Sequence, residues 1–98
     1  SAKEASLNVY NGTKVLANLH LELVSAGNSF SNNYLYNYGS SPAYVQTIIY
    51  NGTAYSVNKS LQPGSLASLS SLTGASASVN SNSVIYVIAN GTLLKLFN

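Results

Sequence analysis

Apolar and polar residues alternate through much of this chain with the two-residue period of a half-buried β-strand. Leu19-His20-Leu21-Glu22-Leu23 alternates strictly, which predicts a strand with its leucines on the buried face. Tyr44-Val45-Gln46-Thr47-Ile48-Ile49-Tyr50 leads into Asn51-Gly52, and Thr53-Ala54-Tyr55-Ser56-Val57 follows. The run from Val84 to Ala89 leads into Asn90-Gly91 and resumes from Thr92 to Phe97. Asn-Gly suits the two-residue turn in which both central residues take positive φ, so each unit predicts a β-hairpin. Gly27-Asn28-Ser29 turns the chain before a run in which Phe30, Asn32, Tyr34, Tyr36 and Tyr38 share one face. That run ends at Gly39-Ser40-Ser41-Pro42, and Pro63-Gly64 marks another turn. Residues 65–72 are expected as a strand, although Leu66, Leu69 and Leu72 at a spacing of three also suit a helical turn, and residues 73–83 are expected as loop. About six or seven short strands between regular turns predict an all-β sandwich or barrel.

The first 18 residues carry a different period. Ala2, Ala5, Val9, Gly12, Leu16, Leu19 and Leu23 fall on alternating steps of three and four, one narrow helical stripe. This predicts a helix over residues 2–17 that joins a sandwich domain spanning residues 19–98; an irregular N-terminal arm is the alternative. Gly12 weakens such a helix by about 1 kcal/mol relative to alanine. The expected core is Leu19, Leu21, Leu23, Leu35, Val45, Ile49, Val57, Leu66, Ile85, Val87 and Leu94.

Composition changes the picture of the surface. The 98 residues are enough for one domain, and 46% are hydrophobic, as in an ordinary globular chain. Only 6% are charged, where a typical soluble domain has roughly a quarter. There is no Asp and no Arg; the acids are Glu4 and Glu22, and the bases are Lys3, Lys14, Lys59 and Lys95. Ser, Thr, Asn and Tyr must therefore cover the outside, and such a surface is expected to tolerate acid. With no cysteine there is no disulfide framework and no thiolate site. The longest strongly apolar run, Val84 to Ala89, is far short of a membrane span. The chain opens at Ser1 without an initiator Met or a signal peptide, as expected of a processed or trimmed form with a segment upstream.

Candidate chemistry is sparse, and an enzyme is not expected. His20 and Glu22 share a strand face, but with no Asp and no nucleophile signature they read as two polar residues on the solvent side. One His and two Glu hardly reach the three or four ligands of a metal site, so neither metal nor cofactor is expected. The glycines are scattered singly, without a phosphate-cradling loop. A net charge of +2 without arginine offers no basic patch for nucleic acid. Tyr34, Tyr36 and Tyr38 could stack on sugars, but a ladder of rings on a strand more often packs in a core or against a protein partner. Four asparagines fit the N-glycosylation pattern: Asn11, Asn51, Asn58 and Asn90. Turn chemistry alone explains the Asn-Gly at positions 51 and 90, but not the Thr that follows every Asn-Gly in the chain.

Tyr36-Asn37-Tyr38-Gly39-Ser40-Ser41-Pro42, the hairpin through Asn51-Gly52-Thr53, Leu61-Gln62-Pro63-Gly64-Ser65 and the closing hairpin from Val84 to Phe97 together resemble the head domain of archaeal type IV pilin-like proteins. The resemblance covers about residues 19–98 and is one of turns and strands. It implies an Ig-like antiparallel β-sandwich at the cell surface, carried by an apolar N-terminal helix that builds a filament core and is missing from this sequence. It implies a non-enzymatic subunit of an adhesive pilus or archaellum-like filament, glycosylated on its head, with copies of itself or related subunits as partners. The alternatives are an accessory archaellum stator domain that binds S-layer protein, and a secreted carbohydrate-binding module that uses Tyr34, Tyr36 and Tyr38 on surface glycans. Any contact with a membrane would run through the missing helix.

Overall fold

A computed structural model describes residues 2–4, 6–7, 19–80 and 82–97. Two short strands, β1 (Ala2–Glu4) and β2 (Ser6–Leu7), precede the seven that carry the fold: β3 (Leu21–Ser25), β4 (Asn33–Asn37), β5 (Ala43–Tyr50), β6 (Thr53–Leu61), β7 (Leu66–Ser68), β8 (Val84–Ala89) and β9 (Thr92–Phe97). They form two antiparallel sheets, in the orders β3-β4-β7 and β9-β8-β5-β6, the sandwich that the strand pattern predicts. Both Asn-Gly hairpins form, β5 to β6 across Tyr50↔Thr53 and β8 to β9 across Ala89↔Thr92.

The helix expected over residues 2–17 does not hold in the part that is described. Ala2–Glu4 is a strand, β1, paired antiparallel with β3, and Ser6–Leu7 is a strand, β2, paired with β9. Each sheet would otherwise leave an edge of unpaired backbone groups here, and edge pairing satisfies them. Ala5, Val9, Gly12 and Leu16 of the stripe lie outside the described residues.

The core fills the space between the sheets. Leu21, Leu23 and Leu35 meet Val45, Ile48, Ile85, Val87, Leu94 and Leu96 from the facing sheet, all essentially without exposure. Leucines at a spacing of three serve both elements foreseen for residues 65–72: β7 ends at Ser68 and a short helix, α1 (Leu69–Thr73), follows. The Ser68 hydroxyl caps α1 by accepting the Ser71 N–H at 3.1 Å, and Gly74 ends it in the left-handed conformation at φ 71°. The helix turns Leu69 and Leu72 inward and leaves Leu66, expected in the core, 53% exposed. Residues 75–80 form the expected loop, but Val79 closes the core from it, held by its N–H to the Asn28 carbonyl at 2.9 Å.

Two further assignments shift for one reason each. Val45 pairs with Lys59 and Ala89, whereas Thr47 pairs with Ser56 and Ile88. Gln46 is therefore an extra residue in β5 relative to β8, and Val57 and Asn58 together oppose it from β6. This double bulge moves the inward position from Ile49 to Ile48, so Ile48 is buried and Ile49 is half-buried. Alternation predicts Phe30 on the tyrosine face. A 3-10 turn over Phe30–Asn32 instead rotates its ring into the core, and β4 begins only at Asn33.

Candidate functional site

The outer face of the smaller sheet is aromatic. Asn33, Leu35 and Asn37 point inward from β4, so Tyr34 and Tyr36 point outward, and Tyr38 continues the row just beyond the strand. The two inward asparagines direct their amide protons to backbone carbonyls, Asn33 Nδ2 donating to Gly27 at 3.1 Å and Ser29 at 2.7 Å, and Asn37 Nδ2 to Ser41 and Leu61, while Asn33 Oδ1 is buried without a partner among the described residues. In register, Glu22 and Leu66 flank Tyr36, while Val24 and Ser68 flank Tyr34. The Tyr36 and Tyr38 rings stand 6.4 Å apart with a 33° tilt, and the His20 ring packs on Tyr38 at 5.3 Å. Gly39 makes room for this, since a Cβ there would come within 3.0 Å of His20 Cδ2. The Tyr38 N–H donates to the His20 carbonyl at 3.0 Å and fixes the two residues side by side.

The result is a row of rings with Leu66 beside it and the His20–Glu22 pair at its rim. His20 and Glu22 are both half-buried on this outer side, as the alternation predicts. Tyr38 at 42% and Leu66 at 53% are among the most exposed large apolar side chains. Such a face can stack, bury and accept hydrogen bonds. No group of three or more His, Cys, Asp or Glu that could hold a metal occurs among the described residues. Leu66 was missed as a surface residue; the signal was its place before two leucines that a helical turn would carry inward.

The sequon asparagines lie on the other sheet. Asn51 sits in the β5–β6 turn at φ 54°, Asn90 in the β8–β9 turn at φ 51°, and Asn58 in the bulge of β6 at φ 51°. They are the non-glycine residues with positive φ among those described, and all are exposed. Asparagine tolerates this conformation better than other side chains, which accounts for its presence at all of these places. Asn11 lies outside the described residues. The two hairpin turns differ in what holds them. Asn90 exchanges hydrogen bonds with Tyr44, its N–H to the carbonyl at 3.0 Å and its Oδ1 accepting the Tyr44 N–H at 2.9 Å. The Gly91 N–H donates to Gln46 Oε1 at 2.8 Å. The residue that bulges β5 thus also clamps the second turn. Around Asn51-Gly52 no such partner exists among the described residues.

Tyr50 and Tyr55 are structural. The Phe30 ring meets Tyr50 at 5.5 Å and Tyr55 at 5.8 Å, and the Tyr50 hydroxyl donates to the Ser78 carbonyl at 2.7 Å. This cluster closes one end of the core against the loop that carries Val79. No helix among the described residues is long and apolar enough to cross a membrane.

Compared with known proteins, the chain matches over residues 1–96 the model of a family described as being of unknown function, DUF8718. No curated protein and no solved structure matches it.

Proposed function

The chain belongs to DUF8718, and from its fold and surface we propose that it is the head domain of a non-enzymatic, extracellular structural subunit, of the archaeal type IV pilus-like class that its turns resemble. The observation that carries this reading is a division of labour between the two sheets. One outer face presents Tyr34, Tyr36, Tyr38 and Leu66, suited to burial against a neighbouring protein. The other sheet bears Asn51, Asn58 and Asn90, each exposed and each followed by the Thr or Ser of a sequon. Rings packed between subunits and sugars turned to the medium would suit a filament whose surface is nearly free of charge.

The test is the intact mass and N-terminal peptide of the native protein from its source cells, with the filaments imaged. An apolar N-terminal extension and sugar on Asn51, Asn58 or Asn90 is the expected result. A bare chain that starts at Ser1 and forms no filament would remove the proposal.

A second reading is favoured by the ring row itself: Tyr36, Tyr38 and His20 in continuous contact would serve a carbohydrate-binding module as a stacking platform. Binding on a glycan array that disappears in Tyr36→Ala would support it over the filament subunit, and silence across the array would exclude it.

A further inference from the structure

We infer that the two Asn-Gly turns age at different rates: Asn51-Gly52 is a site of spontaneous deamidation, and Asn90-Gly91, which shares the Asn-Gly-Thr sequence, is protected by the bulged strand beside it. In this reaction hydroxide takes the proton of the glycine N–H, and the glycine nitrogen attacks the asparagine Cγ. The N–Cγ bond forms, the Cγ–Nδ2 bond breaks, and Nδ2 departs as ammonia. Water then opens the cyclic imide at either carbonyl and leaves aspartate or isoaspartate. One water enters and one ammonia leaves, with no change of oxidation state. Glycine is the most permissive following residue, because it places no Cβ near the attacking nitrogen.

Both turns meet the steric requirement. Asn51 and Gly52 lie at φ 54° and 79°, Asn90 and Gly91 at φ 51° and 75°, and all four residues are exposed. Neither local conformation nor access to water separates them. Hydrogen bonding does. The nucleophile of the second turn, the Gly91 N–H, is held by Gln46 Oε1, and the side chain that carries its electrophile is tied down by the Tyr44 N–H on Asn90 Oδ1. Both bonds must open before the ring can close. At the first turn neither the Asn51 side chain nor the Gly52 N–H has a hydrogen-bond partner among the described residues, so nothing needs to open. The consequence is large for so neutral a chain: each event adds a carboxylate to a protein with two acidic residues and a net charge of +2, and it destroys the Asn51 sequon.

The full chain, made in a host without N-glycosylation, is incubated in mildly alkaline buffer, folded or in concentrated urea, and digested with trypsin over time. Cleavage after Lys14, Lys59 and Lys95 places Asn11, Asn51 and Asn90 on separate peptides, and fragment-ion sequencing locates the converted residue. In the folded chain Asn51 should convert roughly tenfold or more faster than Asn90, the factor set by the hydrogen bonds that must open first. In urea the two rates should converge, and Gln46→Ala, which frees the Gly91 N–H, should bring Asn90 towards Asn51 without urea. Equal rates in the folded chain would overturn the inference. So would a difference that persists in urea, which would place the cause in the sequence rather than in the fold.

Discussion

The Asn37 side chain donates to the backbone carbonyl of Leu61, 24 residues later, at 2.9 Å. Its second amide proton goes to the Ser41 carbonyl at 2.9 Å, and its Oδ1 accepts the Gly39 N–H at 3.0 Å. Its own backbone is bonded too, the carbonyl to the Gly64 N–H at 2.7 Å and the N–H to the Ser65 carbonyl at 3.1 Å. One buried side chain thus ties the end of β4 to its following turn and to the end of β6, the point where the chain crosses between sheets. Asn37→Ala leaves two carbonyls and an N–H without partners and should cost about 2–4 kcal/mol, read as a lower urea midpoint. Asn37→Asp should cost more, because carboxylate oxygens would face the carbonyls that the amide protons now satisfy. An Asp variant as stable as the parent would show that this hub does not hold the crossing.

The double bulge sets up a comparison of adjacent isoleucines. Ile48 is fully buried and Ile49 only half-buried, so Ile48→Ala should lose about 2–5 kcal/mol and Ile49→Ala clearly less. Strict alternation from Val45 demands the reverse order. Equal or reversed losses in urea denaturation would place the bulge elsewhere.

That comparison marks where sequence reading reaches its limit here. Local chemistry was legible: both Asn-Gly hairpins and the inward leucines at 19, 21 and 23 follow from turn preference and alternation alone. That Tyr34 and Tyr36 share one face was also a matter of strand period. The bulge was not legible, because nothing in Gln46 or Asn58 taken singly announces an inserted residue; it is a property of three strands in register. The stripe of small and apolar residues at the start reads as a helix, with an irregular arm as the alternative, and vacant sheet edges decided instead for strands at Ala2–Glu4 and Ser6–Leu7. Of the candidate site, its residue types could be read in advance. The separation of tyrosines and sequons onto different sheets could not, since it depends on which strands pair.

The asparagine turns give a graded series. Alanine at φ near +50° carries a penalty of about 1–2 kcal/mol, so Asn51→Ala and Asn58→Ala should each lose about that much, and Asn58→Gly much less. Asn90→Ala removes in addition the acceptor of the Tyr44 N–H, and should lose about 1 kcal/mol more than Asn51→Ala. The urea midpoints of the unglycosylated chain check the order. Equal losses at positions 51 and 90 would mean that the Tyr44 contact contributes nothing to the closing hairpin.

The scarcity of carboxylates predicts how the fold meets acid. Stability changes with pH in proportion to the difference in protons bound by the unfolded and folded chains. The usual loss on acidification comes from carboxylates whose pKa is depressed in the folded state: they stabilise it above their unfolded pKa, and that contribution vanishes as pH falls through the folded value. This chain offers two side-chain carboxylates, Glu4 and Glu22, and the latter lies half-buried on an outer face rather than in the core. The gain in positive charge is equally bounded, since the whole chain holds two glutamates, no aspartate and one histidine. Neither route supplies enough free energy to unfold a core that is built from uncharged residues on both sheets. The far-UV circular dichroism spectrum at pH 3 should therefore match that at pH 7, and the urea midpoint should move little. A cooperative loss of the β signal within that interval would mean that one of these few groups is held in a far stronger interaction than the uncharged packing around it requires.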